Sequence, residues 1–145
     1  MVGSPTGMKS PNEPSNRDSE FHALSQAIAA LPPRPGDELA IFVPSKDRHG
    51  LAIDQSYWME RSLRLLGRLF GGASAIVAQG IYRGESAKLI REQTIIVACA
   101  VELAAVQSKA DILEVFLRRF CDEGNQEEAG LLINRHYIAV RGGAD

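Results

Sequence analysis

The stretches of this chain that are typical of β-strands are apolar on both of their faces. Alternate side chains of a strand point to opposite faces of the sheet. Within 91–102, one face carries Ile95, Val97, Cys99 and Val101, and the other carries Thr94, Ile96, Ala98 and Ala100. A sheet with one solvated face would alternate apolar with polar residues. The pattern therefore predicts a sheet that is covered on both sides.

The order of the elements predicts an α+β fold. Strands are predicted at 39–43, 74–82, 91–102 and 131–140, with one helix between the first two strands and another between the last two. The resulting order, βαββαβ, is typical of the ferredoxin-like fold. We therefore expect a four-stranded antiparallel sheet with two helices on one face.

Capping residues indicate where these two helices begin and end. Asp54 is a good N-cap for the first, whose apolar stripe starts at Trp58, and Gly71 supplies the left-handed residue after its end. Ser108 and Asp111 approximate a capping box at the start of the second helix.

The N-terminal part of the chain divides into two segments before the α+β domain at 38–141. Residues 1–18 are rich in Ser, Pro, Asn and Gly, which predicts a disordered tail. Residues 19–37 are predicted to form a short helix, starting at Ser19 and stopped by Pro32, and then a proline-rich linker. Such a helix packs either on its own domain or on a partner protein.

Composition excludes several classes of protein. The net charge of −2 gives no electrostatic reason for binding nucleic acid or an anionic membrane. No N-terminal apolar run suits a signal peptide, so we expect a cytoplasmic protein. Cys99 and Cys121 lie in apolar stretches and are expected to be buried thiols, and no spacing predicts a metal site or a cofactor.

The second face of the sheet needs a cover, because the two helices can bury only one face. Phe42, Ile96 and Ala98 are predicted to lie on that second face. Leaving it in water would expose a larger apolar patch than monomers usually show. We expect a homodimer that stacks the two open faces, with the N-terminal helix as the alternative cover.

One polar loop, 45–50, is the best candidate for an anion site. It joins a strand end to a helix start, where backbone N–H groups favour anions. Lys46, Arg48 and His49 supply positive charge there, although an ordinary solvated loop has the same composition. Three further cations lie at helical spacing and are interpreted as a solvated face: Arg61, Arg64 and Arg68.

Five short segments together resemble a family of small bacterial proteins that is catalogued as a domain of unknown function. The segments are 54–58, 70–74, 79–83, 89–92 and 126–129. The resemblance covers roughly 38–140, and it implies a ferredoxin-like sheet and a tendency to pair, but no reaction. Many relatives have Trp where this chain has Tyr82, and many are exported.

Within that pattern, polar and aromatic residues suggest two arrangements. Trp58 and Tyr82 form a ligand pocket together with Arg83 and Glu92, or Arg83 and Glu92 form a cross-strand ion pair. We favour the ion pair.

The sequence contains no recognised catalytic motif. We therefore expect a non-catalytic, dimeric interaction or regulatory protein that acts through a partner protein. The alternative is a small-ligand (anion) sensor, or a small enzyme with a pocket at the sheet. Binding of nucleic acid through the arginine stripe is a third hypothesis.

Overall fold

The computed structural model describes residues 16–32, 36–83 and 86–142. The chain divides into two compact units, 1–35 and 36–145. Most of the predicted tail, part of the linker and part of the 84–88 hairpin loop fall outside the described residues. The elements are α1 Asn16–Ala27, β1 Asp37–Pro44, α2 Gln55–Phe70, β2 Ser74–Arg83, β3 Leu89–Val101, α3 Leu103–Ser108, α4 Ala110–Glu123, β4 Glu128–Ile133 and β5 His136–Arg141.

The first unit contains the short helix α1. It begins at Asn16, three residues before the predicted start at Ser19, and ends ahead of Pro32. Four apolar side chains are exposed by 50–77%: Phe21 and Leu24 within the helix, and Ile28 and Leu31 after its end. No helix among the described residues is long and apolar enough to cross a membrane.

The second unit is an α+β domain built on one antiparallel sheet with the strand order β2-β3-β1-β4-β5. Strand β1 lies in the centre. It pairs with β3 along its whole length, from Asp37 opposite Val101 to Pro44 opposite Thr94. On its other side it pairs with β4, with Ile41 opposite Leu131.

The sheet has five strands, so the prediction of four was wrong. The predicted last strand, 131–140, is a hairpin of β4 and β5 that turns at Asn134. Asn134 has φ 53°, a left-handed conformation that asparagine tolerates better than most residues. Its side-chain Oδ1 also accepts a hydrogen bond from the Glu38 N–H at 3.0 Å. Apolar residues on both sides of this turn made the segment resemble one continuous strand.

The predicted ends of the first core helix are confirmed. The Asp54 side chain accepts a hydrogen bond from the Tyr57 N–H at 3.0 Å, and Gly71 has φ 92°. The capping box at the second helix was wrong. The Ser108 hydroxyl donates to the Ala105 carbonyl at 2.8 Å, and Ser108 ends the short helix α3 instead of starting α4.

The hydrophobic core lies between one face of the sheet and the helices α2 and α4. Leu39, Ile41 and Val43 of β1 are at most 1% exposed on that face. Trp58 of α2 is 4% exposed, and its ring lies 4.7 Å from the ring of Phe120 on α4, centroid to centroid. The two helices are therefore joined through aromatic contacts above the central strand.

The thiols of Cys99 and Cys121 are free and buried, and burial raises the pKa of both. A raised pKa lowers the thiolate fraction on which cysteine reactivity depends.

The opposite face of the sheet, called the open face below, carries the alternate residues of each strand. Phe42, Ile96 and Ala98 lie there, as predicted from the strand alternation, and each is half-buried. Ile76 of β2, which pairs with Ile96, is 58% exposed. The open face is thus apolar in its middle and bordered by an exposed edge strand.

The substitution Trp58→Ala should lower the free energy of unfolding by about 3–5 kcal/mol, because it removes a buried ring that joins both helices. Chemical denaturation followed by circular dichroism measures this value. Arg64→Ala, at an exposed position on the same helix, serves as the control and should change stability by less than about 1 kcal/mol. A loss below about 1 kcal/mol for Trp58→Ala would contradict the core position.

Candidate functional site

A cavity of about 390 Å³ crosses the open face near the end of β1. This size lies within the range of small-molecule sites. All five strands contribute to its lining, which includes Phe42, Pro44, Tyr82, Glu92, Thr94, Glu128, Gly130 and Tyr137.

Two tyrosines lie over glycines at this cavity. A Cβ atom on Gly80 would come within 2.5 Å of the Tyr82 hydroxyl oxygen, and one on Gly130 within 2.6 Å of the Tyr137 ring. Each ring therefore occupies space that any larger residue would fill. Tyr82 and Tyr137 belong to the two edge strands, and each remains about half exposed. Both rings present aromatic surface to the cavity.

Glu92 is held in place from the strand end beside it. Its Oε1 accepts a hydrogen bond from the Ser45 N–H at 3.1 Å and another from the Ser45 hydroxyl at 3.3 Å. In the sheet, Glu92 pairs with Gly80, and the Tyr82 ring lies over Gly80. The Glu92 carboxylate therefore lies beside the Tyr82 ring. The half-buried Glu92 is a fixed acidic group of the cavity.

Glu128 gives the cavity a second carboxylate, close to the other tyrosine. Burial raises the pKa of Tyr137, and the negative charge of Glu128 raises it further. Glu128 lies two residues before Gly130, on the same face of β4. Each side of β1 therefore carries a tyrosine, a glycine and a glutamate.

This arrangement suits a flat ligand that carries positive charge. Aromatic faces stack on planar groups and attract cations, and carboxylates attract the same cations. Among the described residues, no group of histidine, cysteine and acidic side chains has the geometry of a metal site.

A second cavity, also of about 390 Å³, adjoins the first at the polar loop 45–50. Lys46 and Arg48 line it, as do several carboxylates, and Pro44, Glu92 and Glu128 line both cavities. His49 is exposed and is not part of either lining. Two of the three predicted cations are thus brought together.

The loop is tied to the turn between α4 and β4. Arg48 Nη2 donates to the Gln126 carbonyl at 2.9 Å, and the buried Gln126 side chain donates to the Lys46 carbonyl at 3.1 Å. Asp47 accepts hydrogen bonds from two backbone N–H groups of its own loop, and the bond from Leu51 is the main cause of its lowered pKa. The loop is therefore a folded unit with defined internal bonds.

The remaining predicted residues lie elsewhere. Trp58 is in the core on the opposite side of the sheet, so the cavity brings Tyr82 and Glu92 together without it. The prediction of an ion pair between Arg83 and Glu92 was wrong. The register places Arg83 opposite Leu89, and Glu92 opposite Gly80, so the two side chains leave opposite faces of the sheet.

Sequence reasoning missed four residues of the site: Gly80, Glu128, Gly130 and Tyr137. Gly80 and Tyr82 are two apart in one strand, which is a detectable signal. Gly130 and Tyr137 meet only through the register of the β4–β5 hairpin, and that hairpin was not recognised.

No family model and no curated protein matches the chain. The resemblance to the bacterial family of unknown function therefore stays a prediction. Two solved structures of a phage SAM lyase are similar in fold. The complex with S-methyl-5′-thioadenosine has a TM-score of 0.55 and 15% identity, covering 78% of this chain and 97% of that one. The apo form has a TM-score of 0.52 and 14% identity, covering 80% and 99%.

This likeness corrects the function expected from the sequence. The expectation of a non-catalytic interaction protein depended on the lack of a recognised motif, and it is overturned by the fold similarity to a phage SAM lyase, which is an enzyme. The likeness favours the alternative, a small enzyme with a pocket at the sheet.

The substitution Gly130→Ala should move the Tyr137 ring off its position and into solvent, because the new methyl group occupies the ring's space. The pKa of Tyr137, raised by burial, should then fall toward its ordinary value of 10.0. Absorbance titration of the three tyrosines measures the change.

Gly80→Ala is the matched control, since it displaces Tyr82 and should leave the pKa of Tyr137 unchanged. An unaltered Tyr137 titration in Gly130→Ala would show that the ring does not depend on this glycine.

Proposed function

We propose that this protein is a lyase that cleaves S-adenosylmethionine at its sulfonium centre and releases S-methyl-5′-thioadenosine. The observation that carries the proposal is the open-face cavity, where two tyrosines and two glutamates meet. The fold similarity to the phage SAM lyase supports the same substrate class.

The charges of the cavity match this substrate. S-adenosylmethionine joins a planar adenine to a positively charged sulfur. Tyr82, Tyr137 and Phe42 supply aromatic surface for the ring, and Glu92 and Glu128 supply negative charge for the sulfonium. The same two carboxylates would repel an anionic ligand, which argues against an anion sensor at this cavity.

The products define which bond breaks. S-methyl-5′-thioadenosine keeps the adenosyl and methyl groups, so the broken bond joins sulfur to the γ-carbon of the methionine chain. Both electrons of that bond move to sulfur, and its positive charge disappears. A lyase adds no water, so the γ-carbon of the amino-acid fragment regains an electron pair from within the fragment. Either the carboxylate oxygen bonds to it and closes a lactone ring, or a neighbouring C–H bond supplies the pair, which forms a double bond and releases the proton to solvent water.

The protein contributes binding and orientation to this step. Because Ser45 fixes the Glu92 carboxylate, the sulfonium can be held without a rearrangement of the side chain. Phe42 gives the cavity a half-buried apolar floor, and apolar surroundings favour loss of charge at sulfur.

We also propose that the domain is ferredoxin-like with one added strand. Strands β1–β4 follow the order β2-β3-β1-β4 in the sheet, the arrangement of a βαββαβ unit, and β5 extends it by a hairpin.

A homodimer through the open face remains our proposal for the oligomeric state. The support is the exposed apolar surface around Ile76, which is not part of the cavity lining and which a second copy would cover, leaving the cavity open to substrate. Light scattering should report twice the monomer mass. The variant Ile76→Asp should give the monomer mass, and a wild-type monomer at micromolar concentration would contradict the proposal.

Incubation with S-adenosylmethionine should yield S-methyl-5′-thioadenosine, detected by liquid chromatography and mass spectrometry. Glu92→Gln should lower the rate by about a hundredfold or more, because it removes the charge and keeps an oxygen that can accept the Ser45 hydrogen bonds.

Glu114→Gln is the control for that variant, because Glu114 is an exposed carboxylate on α4, in the helix layer opposite the open face. Its rate should equal that of the wild type. Wild-type protein that releases no thioadenosine would overturn the proposed function, and equal rates in Glu92→Gln and wild type would remove Glu92 from the site.

A further inference from the structure

We infer that the second cavity, at the loop 45–50, binds the amino-acid end of the substrate, with Lys46 holding its carboxylate and Glu127 its ammonium group. The inference rests on the proposed function, which by itself assigns only the open-face cavity. It makes this loop the part of the protein that distinguishes an adenosylated amino acid from a plain thioadenosine.

The two cavities share three lining residues. Pro44, Glu92 and Glu128 line both, so a ligand whose sulfur lies beside Glu92 can extend into either space. The first cavity is bordered by the two tyrosines and Phe42, which suits the adenosine end. The remaining end of the molecule, a short chain with an amine and a carboxylate, then lies in the second cavity.

The charges of the second cavity favour a zwitterion over an anion. Its lining has two cations, Lys46 and Arg48, and four carboxylates: Asp47, Glu92, Glu127 and Glu128. A phosphate or a simple carboxylate would meet a net negative lining. An α-amino acid carries both signs and can pair with each. The sequence-based prediction of an anion site at this loop is thus revised to a site for a zwitterion.

Hydrogen bonds within the loop decide which of these groups serve the ligand. The Arg48 guanidinium donates to the Gln126 carbonyl, and Asp47 accepts from the His49 and Leu51 N–H groups and from the Asn125 side chain. These residues hold the loop together.

Lys46 and Glu127 have side chains that are exposed at the lining of the second cavity. Their backbone positions are fixed. Gln126 donates to the Lys46 carbonyl at 3.1 Å, and the Glu127 carbonyl accepts from the Gly142 N–H at 3.1 Å. Both are therefore presented from anchored backbone, which lowers the entropic cost of capturing a ligand.

Two uncleaved probes test this inference. S-adenosylhomocysteine contains the amino-acid end, S-methyl-5′-thioadenosine lacks it, and both have a neutral sulfur. Calorimetric titration gives the dissociation constant of each for the full chain, for Lys46→Ala, for Glu127→Gln and for the control Arg64→Ala. Arg64 is an exposed cation on α2, so its removal changes the net charge by the same amount as Lys46→Ala.

We expect Lys46→Ala and Glu127→Gln each to raise the dissociation constant of S-adenosylhomocysteine by about tenfold. The dissociation constant of S-methyl-5′-thioadenosine should rise by less than about twofold. Arg64→Ala should change neither constant. Equal weakening of both probes, or no weakening of either, would overturn the inference and leave the proposed function standing.

A wild-type protein that binds neither probe would overturn this inference, and the proposed function falls with it only if incubation with S-adenosylmethionine also releases no thioadenosine. Thermal melts of each variant accompany the titrations. An exposed substitution that lowered the melting temperature and weakened both probes equally would count against a direct contact with the amino-acid end.

Discussion

The central strand β1 supports both the core and the site. It is hydrogen-bonded to a neighbour on each side, and Leu39, Ile41 and Val43 are fully buried against the helices. Its last residue, Pro44, lines both cavities, and Ser45 directly after it fixes Glu92. Proline has no N–H for a further ladder bond, so the strand ends where the ligand is proposed to lie. The packing of the helices against one face of β1 thus positions the proposed ligand site on the open face.

Much of the domain could be predicted from local signals. The two-faced apolar strands, the Asp54 cap and the Gly71 turn are short-range patterns, and the structure contains each of them. The β4–β5 hairpin was missed because its turn at Asn134 has no glycine and lies between apolar residues. The Ser108 capping box failed because α3 occupies the segment where the box was expected. Both errors arose where a local pattern fits two structures.

The site was predicted only in part, for a related reason. Tyr82 and Glu92 were named, yet an ion pair between Glu92 and Arg83 was preferred to a pocket, because strand alternation was not applied across the hairpin. Tyr137 and Glu128 come together only through the register of the β4–β5 hairpin, which the sequence alone does not reveal. The role of the two glycines becomes visible only when the positions of the tyrosine rings above them are known. Glycines whose role is to leave space for a neighbouring ring give the weakest sequence signal of a site.

The two tyrosines belong to β2 and β5, the strands that have a sheet neighbour on one side only. Edge strands present unpaired backbone N–H and C=O groups, which pair readily with other chains. The floor of the cavity, at Phe42 and Pro44, belongs to the central strand β1, whereas the two tyrosines at its sides belong to the edge strands. Because twist accumulates from strand to strand, a change in the twist of the sheet displaces the two tyrosines relative to each other more than it displaces β1. Binding at the proposed ligand site is therefore expected to depend on what contacts β2 or β5.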